Sequence, residues 1–209
     1  MQSCILTKRN REIEAKIQQE KPATLWHTTP KKLSVLTPSK NDTMYREFGG
    51  KFVFATSDEI ESYAYIMHGA TGLYMGGYGE EPEKIFCLLK NREVFLKVRE
   101  KYPSYIYTIP SDSFRPVISR NGSFDNEWIS KRPVPVIESL TKYPRGIEDV
   151  LQKGIQVFFL QNPGEYENVF KHLKRMKYGY QQWLQIGEMV REGIVIHENE
   201  IRNIRPEKI

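Results

Sequence analysis

The 209-residue chain is poor in cysteine and has no long apolar segment. Its two cysteines, Cys4 and Cys87, cannot build a disulfide framework or a cysteine-rich zinc site, so we expect a reducing compartment. No apolar run approaches the roughly 18 residues of a membrane-spanning helix, and residues 1–21 are too charged for the apolar part of a signal peptide. These absences predict a cytoplasmic protein with no membrane partner.

Glycine and proline, with 14 and 12 residues, are too scarce for a collagen-like or low-complexity chain. Hydrophobic residues make up 39% of the chain and aromatic residues 12%, enough to fill the core of a globular domain. The net charge of +5 permits an anionic partner such as a nucleic acid or a dinucleotide without requiring one. Three of the four histidines, His68, His172 and His197, lack an acidic or cysteine partner at ligand spacing, so we expect no metal.

The apolar pattern divides the chain into three parts. Residues 1–22 predict a charged N-terminal helix ended by Pro22. Residues 23–162 predict an α+β domain, because short apolar runs rich in β-branched and aromatic residues alternate with turns. Residues 163–209 return to helical spacing and are expected to pack on the same domain.

Two details of this division concern glycine-rich and C-terminal segments. The segment Gly69–Glu83 has five glycines and is predicted to be a loop. Gly179 is predicted to divide the C-terminal helical segment, and Ile194–Ile204 alternates well enough to form a possible last strand.

The stretch Leu25–Met67 contains the most informative local signals. His27 ends a short apolar strand, where its side chain and the following backbone amides could face a cleft. Thr56 and Glu59 match a capping box, which predicts a helix directly after the strand Phe52–Ala55. The pattern therefore predicts a strand, a tight junction and a helix.

Helical periodicity separates two faces of that helix. One face is apolar and is expected to be in the core: Ile60, Tyr63, Ala64 and Met67. Ser62 and Tyr65 are three positions apart and share a second face, from which they could present a hydroxyl and an aromatic ring to one ligand.

These residues resemble the nicotinamide-binding half of the ADP-ribosyltransferase fold, in the branch that includes diphtheria toxin and the poly(ADP-ribose) polymerases. That branch has a His-Gly-Thr/Ser strand, a strand ending in an aromatic residue, a helix with a tyrosine eleven positions later, and a glutamate that opens a later strand. The corresponding residues here are His27 with Thr28, then Phe54, Tyr65 and Glu127. Ser62 matches the family position that contacts the carboxamide, while Thr28 replaces the usual glycine.

The resemblance implies a split antiparallel β-sheet core with flanking helices and an enzyme that uses NAD⁺ as its substrate. Glu127 would stabilise the oxocarbenium-like state formed when the nicotinamide–ribose bond breaks, and His27 would hold a ribose hydroxyl. Tyr65 and Phe54 would stack on the nicotinamide ring, and the backbone of Thr28 would pair with its carboxamide.

Some assignments within the resemblance stay open. Tyr63 is an alternative to Tyr65 as the stacking residue, and Glu138 and Glu148 are alternative carboxylates. Asp125, two residues before Glu127, occupies the position at which related toxins engage the acceptor, although it also suits a turn.

Three other functions are compatible with the sequence. An NAD⁺ glycohydrolase would hydrolyse the substrate without an acceptor, and an RNA 2′-phosphotransferase of the same fold would use arginines where Glu127 stands. A non-catalytic nucleic-acid-binding module could use the basic segment Lys171–Lys177. The acceptor, whether protein or nucleic acid, is not identified by the sequence.

Overall fold

A computed structural model gives the fold. It describes residues 8–39, 50–67, 73–78, 84–118, 124–142, 146–176 and 179–203. The chain divides into two compact units, each formed by two segments: residues 1–62 with 105–141, and residues 63–104 with 142–209. The sequence-based boundaries after residues 22 and 162 stay predictions.

Strands and helices both contribute to the described part of the chain. The strands are β1 (Thr24–Thr29), β2 (Val35–Leu36), β3 (Val53–Thr56), β4 (Leu73–Tyr78), β5 (Lys84–Leu89), β6 (Ser104–Pro110), β7 (Arg115–Ile118), β8 (Phe124–Ser130), β9 (Val134–Pro135), β10 (Glu138–Lys142), β11 (Gln156–Leu160) and β12 (Val195–His197). The helices are α1 (Lys8–Gln19), α2 (Glu59–Ala64), α3 (Arg92–Lys101), α4 (Gly146–Gln152), α5 (Tyr166–Arg175), α6 (Gly179–Arg191) and α7 (Glu198–Asn203). The predicted α+β class is confirmed at this level.

The first unit is built on a six-stranded sheet in the order β10-β6-β1-β3-β8-β7. Antiparallel pairing joins β1 to β6 and β3, and β8 to β3 and β7. One face of the sheet is covered by a core whose buried members are Leu25, Leu36, Val53, Ala55, Tyr107, Ile109, Phe114, Trp128 and Val134. Apolar side chains at alternate strand positions supply this core, as expected for a sheet with one buried face.

Helix α1 packs on the first unit. Ile17 contacts the core, and the Gln18 side chain donates a hydrogen bond to the Phe114 carbonyl at 3.4 Å. Glu14 and Arg115 form an ion pair at 3.7 Å, which is partly exposed and contributes little. The helix predicted in residues 1–22 is therefore present and is held mainly by apolar contact.

The second unit contains a four-stranded sheet in the order β12-β11-β5-β4. Strands β5 and β11 are parallel, whereas β4 and β12 pair antiparallel with their neighbours. Helices α5 and α6 contribute to its core, whose buried members are Phe86, Leu88, Phe158, Leu160, Tyr166, Val169, Leu173, Ile186, Met189 and Val195. The predicted division at Gly179 is correct, because α6 begins there.

One sequence prediction fails in the second unit, and another holds only in part. Within the predicted loop Gly69–Glu83, the residues of β4 form an edge strand that pairs with β5; its neighbours 69–72 and 79–83 lie outside the described residues. Glycine is tolerated at such an edge because the partner strand satisfies the backbone. The predicted strand Ile194–Ile204 ends at His197, whose Nδ1 accepts the Asn199 backbone N–H at 3.2 Å at the start of α7.

Across the described residues, no helix combines the length and the apolar character required to cross a membrane.

Candidate active site

His27 lies near the end of β1 in the first unit, half-buried. Its Nδ1 is 2.6 Å from the Phe54 carbonyl oxygen of β3. A carbonyl only accepts, so Nδ1 must be the protonated nitrogen of the neutral ring. Burial lowers the pKa of His27 below 6.5, with the Phe54 bond opposing this in part. At neutral pH the ring therefore keeps a lone pair on Nε2, which can accept a hydrogen bond from a hydroxyl group.

The ladder between β1 and β3 ends beside this histidine, and the stretch of the two strands beyond their one pair is called the gap. In the described strands their register contains one pair, Trp26 with Thr56, although β1 pairs with β6 over its whole length. The Ser111 N–H donates to the Ala23 carbonyl at 3.1 Å, so Ala23 and every second residue after it direct their backbone groups towards β6. Thr28 lies between two of these positions, so its backbone N–H and C=O point away from β6 and into the gap.

The side chain of Thr28 is tied to helix α2. Its hydroxyl donates to the Ser62 carbonyl at 2.7 Å. Ser62 is fully buried, and its own hydroxyl donates to the Glu59 carbonyl at 2.6 Å. Two of the predicted ligand-binding residues are thus in contact, with Ser62 holding Thr28 through its backbone.

The start of α2 differs from the predicted capping box. Asp58 precedes the helix, and its side chain accepts the N–H of Ile60 at 2.7 Å and of Glu61 at 3.3 Å. Thr56 instead accepts the Asp58 N–H and donates to the Glu61 carboxylate. The predicted helix is present but begins two residues later than a cap at Thr56 requires, because the Asp58 carboxylate is the group that reaches the first helical amides.

Glu127 lies on β8, paired with Thr56. Trp26, Thr56 and Glu127 therefore form a row across three adjacent strands, which spans two strand spacings, or about 10 Å. Asn126 has a φ of 58°, a left-handed conformation that marks an irregularity directly before Glu127. Burial raises the pKa of Glu127 to about 7, so this carboxyl is only partly ionised at neutral pH.

Phe54 lies on the same sheet face as Glu127. It pairs with Ile129, two residues beyond Glu127, and cross-strand partners and alternate residues share a face. Its half-buried ring meets Phe52 edge-on at a centroid distance of 6.2 Å. The Cβ of His27 lies on the sheet face opposite to that of Phe54 and Glu127. The imidazole ring is nevertheless directed towards β3, where Nδ1 contacts the Phe54 carbonyl.

The two candidate tyrosines belong to the second unit. Tyr63 is buried, with the Lys153 ammonium 4.5 Å from its ring centroid. Tyr65 begins a 3₁₀ turn, Tyr65–Met67, and is half-buried. The predicted core face of this helix is correct at three positions and wrong at Ile60, which is 39% exposed because it lies in the first turn of α2. The convergence of Tyr65 with His27 and Glu127 stays a prediction.

Other carboxylates are placed differently from Glu127. Glu138 is exposed on β10, and Glu148 lies on α4 in the second unit. The backbone of Asp125 lies in β8, but its side chain is outside what the structure describes. Among the described residues, no three His, Cys, Asp or Glu side chains form a group that could hold a metal ion.

Sequence reasoning did not find Arg99, a buried arginine of α3. It is 5% exposed, and its guanidinium donates to the Ile66 carbonyl at 3.4 Å and contacts the Ser104 hydroxyl. Burial lowers its pKa, and no carboxylate of the described residues pairs with it. The one sequence signal is its helical spacing: Arg99 follows Phe95 at i+4, which places a charged residue on the apolar side of α3.

Comparison with known proteins finds no match for this chain among protein-family models, curated proteins or solved structures.

Proposed function

We propose that the protein is an ADP-ribosyltransferase-like enzyme that cleaves the nicotinamide–ribose bond of NAD⁺. The observation that supports it most is the adjacency of β1, β3 and β8 in one sheet. This order brings the backbones of His27, Phe54 and Glu127, which are far apart in sequence, within about 10 Å of one another. The family resemblance predicts that these residues meet, whereas the short sequence motifs do not dictate the strand order.

The gap between β1 and β3 suits one half of the substrate. The backbone N–H and C=O of Thr28, both directed into the gap, have the donor and acceptor that a carboxamide requires. Nε2 of the neutral His27 would accept a ribose hydroxyl. In this proposal the gap corresponds to the split in the antiparallel sheet that the family resemblance implies.

Glu127 would supply the chemistry. As the bond to nicotinamide breaks, positive charge develops on the ribose, and an ionised carboxylate beside it stabilises that state. The partial burial that raises its pKa also lowers the local dielectric, which strengthens the interaction of the ionised carboxylate with the developing charge. Phe54 lies on the same face and would hold the nicotinamide ring.

Tyr65 is preferred to Tyr63 as the second stacking residue. The ring of Tyr63 is buried and has the ammonium of Lys153 over it, while Tyr65 is half-buried. An aromatic face already occupied by a cation is a poor platform for the cationic nicotinamide ring. Strands β1, β3 and β8 contain no arginine, which weighs against the phosphotransferase alternative.

The proposal is tested by following nicotinamide release from NAD⁺ by chromatography. Glu127→Ala should lower the rate at least about 100-fold, since it removes the charge that stabilises the transition state. Glu138→Ala is the matched control, because it removes an exposed carboxylate of the same sheet and should leave the rate unchanged. Equal rates for Glu127→Ala and the wild type would reject the assignment.

The same assay separates transfer from hydrolysis. With NAD⁺ labelled in its adenylate, free labelled ADP-ribose indicates glycohydrolase activity, and label retained on protein or nucleic acid indicates transfer.

A further inference from the structure

Helix α5 carries a basic stretch that the proposed NAD⁺ chemistry does not use. Between Glu167 and Glu188 the sequence contains no Asp or Glu, but it contains four cations, Lys171, Lys174, Arg175 and Lys177. Such a stretch concentrates positive charge, whereas basic and acidic residues are mixed in the rest of the chain. The feature is local, because the net charge of the whole chain is only +5.

Two of these cations, Lys171 and Arg175, line an open cavity of about 410 Å³ in the second unit. Its lining comprises Asn168, Val169, Lys171, His172, Arg175 and Met189. The polar members follow the spacing i, i+3, i+4, i+7 on α5, so they form one face of the helix. Val169 and Met189 are buried and form an apolar floor, whereas the polar members are exposed. The surface of the cavity is therefore mostly apolar, and the polar side chains offer hydrogen-bond donors at its edge.

The cations of this face are available to a ligand. Among the described residues, neither Lys171 nor Arg175 has a carboxylate within ion-pair distance. Lys174 Nζ lies 4.4 Å from the Phe170 ring centroid, which holds its side chain along the helix. The helix dipole accounts for basic residues in the last turn of α5, but it does not account for Lys171 or for the cavity.

An exposed aromatic residue closely follows these cations in the chain. Tyr180, in the first turn of α6, is 59% exposed. The Gln182 side chain donates to the Leu173 carbonyl at 3.1 Å, which ties the start of α6 to the end of α5. Cationic groups that follow a phosphate backbone, next to an aromatic ring on which a base can stack, are the combination that single-stranded nucleic acids require.

We propose that α5 and the first turn of α6 bind single-stranded nucleic acid. Phosphates contact Lys171 and Arg175 at the cavity, and a base stacks on Tyr180. This site does not depend on NAD⁺, so it stands or falls separately from the proposed enzyme activity.

The test is fluorescence anisotropy with labelled single-stranded DNA and RNA of about 16 nucleotides, without NAD⁺. With the two phosphate contacts proposed, the logarithm of the affinity should fall against the logarithm of the salt concentration with a slope of about −1.4. Lys171→Glu/Arg175→Glu should weaken binding at least about tenfold and bring the slope close to zero. Lys90→Glu/Lys97→Glu is the matched control, since both lysines are exposed on the same unit and the change in net charge is equal.

Equal loss of affinity in the two double variants would overturn the proposal, because it would mean that only net charge matters. Circular dichroism checks that each variant keeps its helices, and Lys171→Gln/Arg175→Gln repeats the test without introducing acidic groups on α5.

Tyr180→Ala should lower affinity for single strands about fivefold or more. Comparable binding to heparin or to vesicles of phosphatidylglycerol, with no effect of Tyr180→Ala, would show a general polyanion surface and reject a nucleic-acid site. Glu127→Ala should bind nucleic acid like the wild type.

Discussion

Replacing Glu127 with glutamine is expected to stabilise the protein at pH 8 while removing NAD⁺ cleavage. Burial raises the pKa of Glu127 from 4.5 to about 7, so the folded state favours the protonated carboxyl. A group of this kind contributes stability below its unfolded pKa, and that contribution is lost as pH rises through the folded pKa. Glutamine imitates the protonated form and does not titrate, so the variant escapes this loss.

The size of the effect follows from the two pKa values. At about 1.36 kcal/mol per pH unit, the shift from 4.5 to about 7 sets an upper limit of about 3.4 kcal/mol. Because Glu127 is only half-buried, solvent screening reduces this, and we expect a gain of about 1–2 kcal/mol at pH 8. Most of that gain should disappear at pH 5, where the folded wild type is already protonated.

The measurement is urea unfolding of both proteins at pH 5 and pH 8, followed by tryptophan fluorescence. Glu138→Gln, at an exposed position of β10, should show no such pH-dependent difference. In parallel, NAD⁺ cleavage by the wild type should rise with pH through about 7, because the ionised carboxylate is the active form. A Glu127→Gln protein that is less stable than the wild type at pH 8, or whose advantage grows towards pH 5, would refute the reasoning.

Two further substitutions test the packing of the second unit by chemical denaturation. Gly146→Ala should lower the free energy of unfolding by about 1–3 kcal/mol, because an added Cβ would lie 2.9 Å from a methyl group of Ile66. An unchanged unfolding midpoint would show that the Ile66 side chain moves aside at little cost. Arg92→Met should cost about 3–5 kcal/mol, because it leaves the fully buried Glu198 carboxylate without its bidentate partner at 2.8 and 2.9 Å. Arg191→Met, which breaks an exposed pair with a 4.0 Å separation, should cost less than about 1 kcal/mol, and equal losses in the two variants would contradict the importance of burial.

The sequence was most informative where apolar residues are dense. The runs Phe52–Ala55 and Ile155–Leu160 correspond closely to β3 and β11, because buried strands need consecutive β-branched and aromatic residues. Strand β10, with the sequence ESLTK, has no such run and is identifiable only through its pairing in the sheet. Helix α3 had a local signal that was overlooked, since Asn91 caps it by accepting the Val94 N–H at 3.0 Å.

The candidate site shows a similar limit. His27, Phe54 and Glu127 could be selected from their residue types and order, but the sequence does not reveal that β3 separates β1 from β8. The bond between His27 Nδ1 and the Phe54 carbonyl depends on where β1 and β3 diverge, which long-range pairing decides. Ser62 was predicted to face a ligand from helical periodicity alone, and its burial depends on contacts with β1 that periodicity does not contain.

The protonation states of His27 and Glu127 support a common account of the site. Burial disfavours the charged form of both groups, lowering one pKa and raising the other. The free site therefore carries less fixed charge than the same two groups would carry in water. If the cationic nicotinamide ring of NAD⁺ enters this site, its charge lowers the pKa of Glu127 and ionises the carboxyl. The substrate would thereby generate the anion that stabilises the positive ribose once nicotinamide leaves, and the apparent pKa of the activity at saturating NAD⁺ should lie below that of the free enzyme.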